Sequence, residues 1–156
     1  MSYQVLHVGG NQWELRFDSE PDYCYPLPIA DAAERAKVSQ GTWLVLFSAV
    51  WSGPDQEAIT TALRVVKKFG GQVKLGVRPF DETTEFRQWF PEIRETYGSP
   101  VWVVVKDGCL VEQFVGLVAA AVLEEALRRS LPSAVGRDAN PSAISRISHR
   151  GDSSAT

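Results

Sequence analysis

The residues of this chain that could do chemistry are concentrated at Trp51-Ser52-Gly53-Pro54-Asp55. They lie between a run of apolar residues and a segment with the apolar periodicity of a helix. A serine followed three residues later by an acidic side chain matches the capping box, in which Ser52 and Asp55 would each accept the backbone N–H of the other. Pro54 stands in the first turn, where a missing N–H costs nothing. The spacing therefore predicts that Ser52 and Asp55 cap a helix.

Ser52 is also a candidate nucleophile, but a serine hydroxyl is activated only when a neighbouring base takes its proton. The chain contains two histidines, His7 near the start and His149 near the end. Neither has a sequence position that brings it beside Ser52. We therefore expect no catalytic residue at this site.

The two cysteines, Cys24 and Cys109, are far apart and do not have the spacing of metal ligands. We therefore expect neither a metal nor a cofactor.

The composition suits one globular domain with a real core, because 44% of the 156 residues are hydrophobic and 22% are charged. The formal net charge of −3 and the lack of a basic stripe argue against nucleic acid as a partner. No apolar run approaches the roughly 20 residues that cross a bilayer, and the first residues lack the pattern of a secretory signal. We expect an intracellular, cytoplasmic protein without membrane insertion.

Apolar periodicity and turn residues divide the chain into strands and helices. Strands are predicted at 3–8, 12–17, 43–49, 72–77, 101–105 and 110–115. Helices are predicted at 29–40, 54–69, 82–97 and 119–131, and Pro91 should kink or split the third. The alternation implies parallel crossovers and the last hairpin adds antiparallel strands, so the fold class is α/β, with a mixed sheet covered by helices on both faces.

The same pattern divides the chain into three parts. Residues 1–24 form an N-terminal hairpin extension, and residues 25–131 form the main domain. Residues 132–156 are rich in Ser, Asn, Gly and Arg and poor in large apolar residues. This composition predicts a disordered tail.

Four features of the main domain, in this order, resemble the thioredoxin family. Trp51 with Gly53-Pro54 follows a buried strand and opens a long helix. Gly98-Ser99-Pro100 precedes a strand, Lys106-Asp107-Gly108 makes a hairpin turn, and Val115-Gly116 ends that hairpin. The resemblance covers residues 25–131 and implies a thioredoxin-like fold, a three-layer α/β/α sandwich with a mixed central sheet.

The departures from the family concern its chemistry. Ser52 and Asp55 stand at the two positions where thioredoxins carry cysteines, and Gln56 replaces a common lysine. Because dithiol exchange needs a thiolate and a resolving thiol, the resemblance implies a redox-inactive protein. Leu46 stands where many thioredoxins carry a buried aspartate, and a buried carboxylate without a redox partner would only cost desolvation.

The resemblance also implies a peptide-binding groove beside this corner, with a cis peptide bond between Ser99 and Pro100. Its residues, carried over by matching position, are Trp51, Gly53, Pro54, Ser99, Pro100, Val115 and Gly116. The alternative is that Pro100 only shapes the fold and Trp51 only covers the sheet edge. Trp89 and Phe90 are further candidates for a partner contact, with ordinary burial as the alternative.

We therefore predict a non-catalytic protein-binding module, acting as an adaptor, a chaperone-like factor or an assembly subunit, whose partner is a protein or peptide. One alternative is a glutathione-dependent enzyme in which Ser52 donates a hydrogen bond to a glutathione thiolate. Another is a redox sensor that acts through Cys24, which we expect nearer the site end of the sheet. The resemblance places Cys109 at the opposite end, so no disulfide between Cys24 and Cys109 is expected.

Overall fold

The computed structural model describes residues 3–9, 12–18, 24–26, 36, 38–80, 90–94 and 98–132. The strands are β1 (Tyr3–Gly9), β2 (Gln12–Phe17), β3 (Cys24–Pro26), β4 (Thr42–Ser48), β5 (Val73–Pro79), β6 (Val101–Lys106) and β7 (Cys109–Val115). The helices described over their full length are α1 (Gly53–Lys67) and α2 (Ala120–Ser130). All the predicted strands are present, with ends that differ by no more than two residues.

The main sheet has five strands in the order β3-β5-β4-β6-β7. The first three strands in this order are parallel, and β6 and β7 continue the sheet in antiparallel pairing. Every residue of the central strand β4 is buried. This confirms the prediction that its unbroken apolar run is covered on both faces, since a half-exposed strand would alternate apolar and polar residues.

One face of the sheet packs against both α1 and α2. Leu44 and Leu46 of β4 contribute to this first core, together with Ile59 of α1 and Leu123 and Leu127 of α2. Each of these side chains is fully buried. Burying such a side chain stabilises the fold by about 1.5–3 kcal/mol. Because these residues pack α1 onto β4, they also hold the start of the helix in a fixed position relative to the end of the strand.

The opposite face of the sheet carries a second core. Trp43 and Phe47 of β4 lie in it, with Phe80, Phe90 and Ile93 packed over them. The mixed sheet with two covered faces is the α/β architecture predicted from the alternation of elements. The greater part of each of the predicted helices 29–40 and 82–97 lies outside the described residues. Of the first, Ala36 is helical and residues 38–40 form a turn and a bend, so this helix ends before Gln40.

Residues 90–94 form turns and bends, so the predicted helix 82–97 does not continue through this segment. Pro91 supplies the physical reason, because a proline inside a helix lacks the N–H for the helical hydrogen bond and its ring clashes with the preceding turn.

The N-terminal hairpin β1-β2 packs on the first core and is not detached from the domain. Leu15 is 4% exposed within that core, and Tyr3 and Val5 pack against it. The Tyr3 hydroxyl donates a hydrogen bond of 2.9 Å to the Gln56 carbonyl in the first turn of α1. The predicted tail 132–156, apart from Pro132, lies outside the described residues.

Strand β3 was missed from the sequence. It is only three residues long, it ends in Pro26, and its register partners on β5 are Leu75, Gly76 and Val77. A strand this short at the edge of a sheet has no periodicity to detect, and proline is depleted in strands. Residues 24–26 form a strand only because they pair with the edge of β5.

No helix within the described parts of the chain is long and apolar enough to span a membrane. Within those same ranges, no group of three or more His, Cys, Asp or Glu side chains is arranged to hold a metal ion.

Candidate functional site

The site is built on the corner between β4 and α1. After Ser48 the chain turns through Ala49, Val50 and Trp51, and the backbone N–H of Ser52 donates to the Ala49 carbonyl at 2.8 Å. Ser52 has the extended backbone of a helix N-cap, and its carbonyl accepts the N–H of Gln56 at 3.0 Å. The corner therefore begins the helix as its sequence predicts.

The predicted capping box is wrong. The Ser52 side chain makes no capping hydrogen bond, and the Ser52 N–H is already satisfied by Ala49. The Asp55 carboxylate turns inward instead and is completely buried. Its Oδ2 accepts the N–H of Ala49 at 2.6 Å, and its Oδ1 accepts the hydroxyl of Ser99 at 3.0 Å. Asp55 thus joins the corner to a loop 44 residues away in sequence.

Burial raises the pKa of the Asp55 carboxyl above its ordinary value, because the charged form loses its hydration. Hydrogen bonds from the Ala49 N–H, the Ser99 hydroxyl and the Ser52 hydroxyl oppose this by stabilising the charge. Leu46 itself is buried among apolar side chains. The corner nevertheless contains a buried carboxylate, which Asp55 supplies from the helix side.

The loop before β6 contains a cis peptide bond between Ser99 and Pro100, which confirms the prediction. The Pro100 carbonyl accepts the N–H of Gly116 at 2.8 Å. The Gly116 carbonyl in turn accepts the indole N–H of Trp102 at 2.9 Å, and Gly116 has a φ of +85° that favours glycine. These bonds bring the end of β7 beside the loop, so three segments distant in sequence meet at the corner.

The surface around this junction is apolar. Trp51 is 53% exposed, Val115 43% and Leu117 58%. Gly53 and Pro54 are also exposed, Ser99 and Gly116 are half-buried, and Pro100 is buried. Trp51 is thus largely exposed to solvent, whereas Pro100 packs inside the loop. Sequence reasoning missed Leu117, although it directly follows Val115-Gly116 and could have been included on that ground.

Phe90 lies inside the second core and is not at the surface. It is fully buried, and its ring meets that of Phe47 edge to face with centroids 6.3 Å apart. The alternative of ordinary burial therefore applies to Phe90, and the predicted partner contact at this residue is wrong. Trp89 lies outside the described residues.

The cysteines lie on opposite edges of the sheet, Cys24 on β3 and Cys109 on β7. Four strand spacings separate these strands by roughly 19 Å, far beyond the ~4.4–6.8 Å that a disulfide spans between Cα atoms. Cys109 is a free, exposed thiol. Cys24 is level with Leu75 and hence with Leu44, the third of the seven residues of β4, whereas Cys109 pairs with Lys106 and is hence level with Thr42, at the end remote from the corner. Along the strand direction Cys24 is therefore nearer the corner than Cys109 is, as expected, but it is level with the middle part of β4 and not with the corner itself.

No histidine of the described residues is placed to activate Ser52. His7 is exposed on β1, about 13 Å along that strand from Tyr3, the hairpin residue that contacts the first turn of α1. His149 lies outside the described residues. The arrangement is thus a buried carboxylate, two hydroxyls and exposed apolar side chains.

No known protein family model matches this chain, and no curated protein matches it. Solved structures do. A thioredoxin from Trypanosoma brucei brucei is 18% identical, with a TM-score of 0.53 over 73% of this chain and 96% of that one. The chain has the thioredoxin fold. A second similar chain, from a structure on the thiol resolving mechanism in yeast mitochondrial 1-Cys peroxiredoxin via glutathione/thioredoxin systems, is 17% identical. It has the same TM-score of 0.53 over 65% of this chain and 92% of that one.

Proposed function

We propose that this chain is a member of the thioredoxin superfamily that binds an extended segment of polypeptide and does not exchange disulfides. The binding surface, which we call the groove, comprises Trp51, Gly53, Pro54, Ser99, Val115, Gly116 and Leu117. The observation that carries the proposal is the junction at Asp55, where a hydrogen bond of 3.0 Å to Ser99 holds the loop against the corner.

The backbone of Ser99 supports an extended ligand. Within the described parts of the chain, neither the N–H nor the carbonyl of Ser99 has a hydrogen-bond partner, and the residue is half-exposed. An extended peptide satisfies such groups by pairing as a strand does. Protein-binding surfaces commonly expose contiguous apolar side chains, and Trp51, Val115 and Leu117 supply them here.

The absence of dithiol chemistry is inferred from composition at the corner. Residues 52 and 55 are serine and aspartate, so neither an attacking nor a resolving thiol is present there. A role as an adaptor, chaperone-like factor or assembly subunit, inside the cell, would use the groove for recognition alone.

Two valines of β7 provide a matched test of the groove. Val115 borders the groove and is 43% exposed, whereas Val111 is 46% exposed on the same strand but lies toward the opposite end. Arrays of random 15-residue peptides are probed with the parent chain, Val115→Ser and Val111→Ser. We expect Val115→Ser to weaken the peptides bound by the parent about tenfold, as removal of a buried apolar contact does, and Val111→Ser to leave them unchanged.

Equal losses in both variants, or no peptide bound by the parent, would refute binding in the groove. The second part of the proposal is tested by reduction of insulin with dithiothreitol as electron donor. The parent chain should give no acceleration over dithiothreitol alone, and a protein-dependent rate that disappears in Ser52→Ala would refute the loss of redox activity.

A further inference from the structure

The Asp55 carboxylate touches both walls of the groove. Ala49, whose N–H it accepts at 2.6 Å, belongs to the corner that presents Trp51. Ser99, whose hydroxyl it accepts at 3.0 Å, belongs to the loop that presents the unpaired backbone groups. Because Asp55 is fully buried, water does not compete for either contact. The relative position of the two walls thus depends on this carboxylate.

The protonation state of Asp55 sets the direction of its bond to Ser99. An ionised carboxylate only accepts hydrogen bonds, so the Ser99 hydroxyl must donate its single proton to Oδ1. The Ser99 oxygen then has only lone pairs to offer a ligand, which must approach with an N–H or O–H donor. A neutral carboxylic acid carries its own proton and can donate to the Ser99 oxygen. The Ser99 hydroxyl keeps its proton but no longer donates it to Asp55, so it can donate a hydrogen bond to a ligand carbonyl.

The groups that act directly on Asp55 are neutral: the Ala49 N–H and the hydroxyls of Ser99 and Ser52. On α1 the nearest charged side chain is Glu57, which is exposed, and the ion pair of Lys68 with Glu124 lies at the other end of the helix. No ionisable side chain occurs in β4 or in residues 98–100.

Among the residues that the structure describes, the remaining neighbours of the corner also give Asp55 no close counter-charge. The Tyr3 hydroxyl of the hairpin donates to the Gln56 carbonyl. On β5, Arg78 is level with Phe47 and therefore on the face of the sheet opposite α1. On β6, Lys106 is at the end remote from Ser99. Within the described part of the chain, protonation of Asp55 is thus governed by its burial and by its hydrogen bonds to Ala49, Ser99 and Ser52.

We propose that Asp55 is a proton-controlled positioning residue of the groove, which holds the Ser99 hydroxyl as a donor when ionised and releases it when neutral. The inference rests on the proposed function in that the groove is the surface so positioned. Above the Asp55 titration, the Ser99 oxygen therefore selects an N–H of the peptide. Below it, the same oxygen presents a proton and selects a peptide carbonyl.

The test is a titration of the full chain without any peptide. The 13C carboxyl signal of Asp55 and the amide signals of Ala49, Ser99 and Gly116 are followed by NMR from acid to slightly alkaline pH. We expect one shared midpoint, above the ordinary aspartate value of 3.8. Asp55→Asn, which keeps the shape of the neutral acid, should abolish the midpoint at all three amides.

Two further variants separate this role from a purely structural one. Ser99→Ala removes a donor that stabilises the ionised carboxylate, so the Asp55 midpoint should move upward. Asp107→Asn, at the exposed turn remote from the groove, should leave the midpoint unchanged. An Asp55 midpoint at or below 3.8, amides that do not follow it, or a midpoint unmoved by Ser99→Ala would overturn the inference.

Because this titration uses no ligand, its outcome is independent of the peptide arrays. An array without bound peptides refutes the proposed function, whereas a failed titration refutes the role of Asp55.

Discussion

Two aspartates at opposite ends of the sheet make the same type of bond in different surroundings. Asp107, in the turn between β6 and β7, accepts the N–H of Gly41 at 2.9 Å, and its own N–H donates to the Gly41 carbonyl at 2.9 Å. Asp55 accepts the N–H of Ala49 at 2.6 Å. Each carboxylate thus ties two segments together, but Asp107 is exposed and Asp55 is completely buried.

The comparison shows how burial of a carboxylate can make its hydrogen bonds depend on the protonation of that carboxyl. Water solvates the Asp107 carboxylate, so its hydrogen bond with Gly41 serves only to join the two turns. At Asp55 the lost hydration raises the pKa of the carboxyl, and the oxygen not used by Ala49 takes the hydroxyl of Ser99. The apolar surface of Trp51, Val115 and Leu117 lies at this end of the sheet.

The largest effect is expected when cysteines replace Ser52 and Asp55 at the corner. In a double variant, Ser52→Cys with Asp55→Cys, a thiol stands at the N-terminus of α1, where the helix dipole favours the thiolate. We expect insulin reduction at least roughly tenfold faster than with the parent chain, because both thiols needed for exchange are then present.

The matched control is Ser52→Cys alone, which lacks a resolving thiol and should show little turnover. Turnover no greater in the double variant than in this control would mean that the corner does not place two sulfurs within bonding distance.

A smaller effect separates the two aspartates by stability. Asp55→Asn keeps an acceptor for the Ala49 N–H, whereas Asp55→Ala leaves that buried donor unsatisfied. The free energy of unfolding of Asp55→Ala should therefore be lower than that of Asp55→Asn by about 1–3 kcal/mol. At Asp107, where water replaces the lost acceptor, the same pair should differ by at most about 1.5 kcal/mol. Urea unfolding at neutral pH measures the free energy of unfolding of each of the four variants. Equal differences between the Asn and Ala variants at residues 55 and 107 would contradict the predicted contrast between a buried and an exposed aspartate.

The smallest predicted effect is a dependence of stability on pH that arises from Asp55. Because burial raises its native pKa, the folded chain keeps a proton at pH values where the unfolded chain has lost it. The stabilisation is complete below the ordinary value of 3.8 and is lost as the pH rises through the native pKa. The free energy of unfolding of the parent, relative to Asp55→Asn, should therefore fall with rising pH across this window.

Asp107→Asn serves as the control in the same urea series. A difference between the parent and Asp55→Asn that stays constant or rises with pH would contradict the raised pKa.

The sequence predicted much of this architecture because its main signals are local. The apolar run of β4, the helix after Pro54 and the hairpin around Asp107-Gly108 were each recognised and are present. The cis bond before Pro100 was also predicted, from the resemblance of its loop to that of the thioredoxins.

The errors occurred where a residue's partner is distant in sequence. The capping box assigned Asp55 to its nearest backbone N–H, but Ser99 and Ala49 compete for the carboxylate. Phe90 was weighed as a partner contact because its neighbours on the second face could not be known from its own segment. Strand β3 was missed for the same reason, because only its pairing with β5 makes it a strand.

The sequence by itself therefore determined the strand-to-helix corner, the absence of sulfur at residues 52 and 55, and the apolar segments that build a two-sided core. Periodicity and turn chemistry act over a few residues and can be read along the chain. The tertiary structure alone decided that Asp55 faces inward and that the loop at Ser99 meets both the corner and the end of β7. Hydrogen bonding and burial depend on which segments meet in space, and folding brings these together from distant parts of the chain.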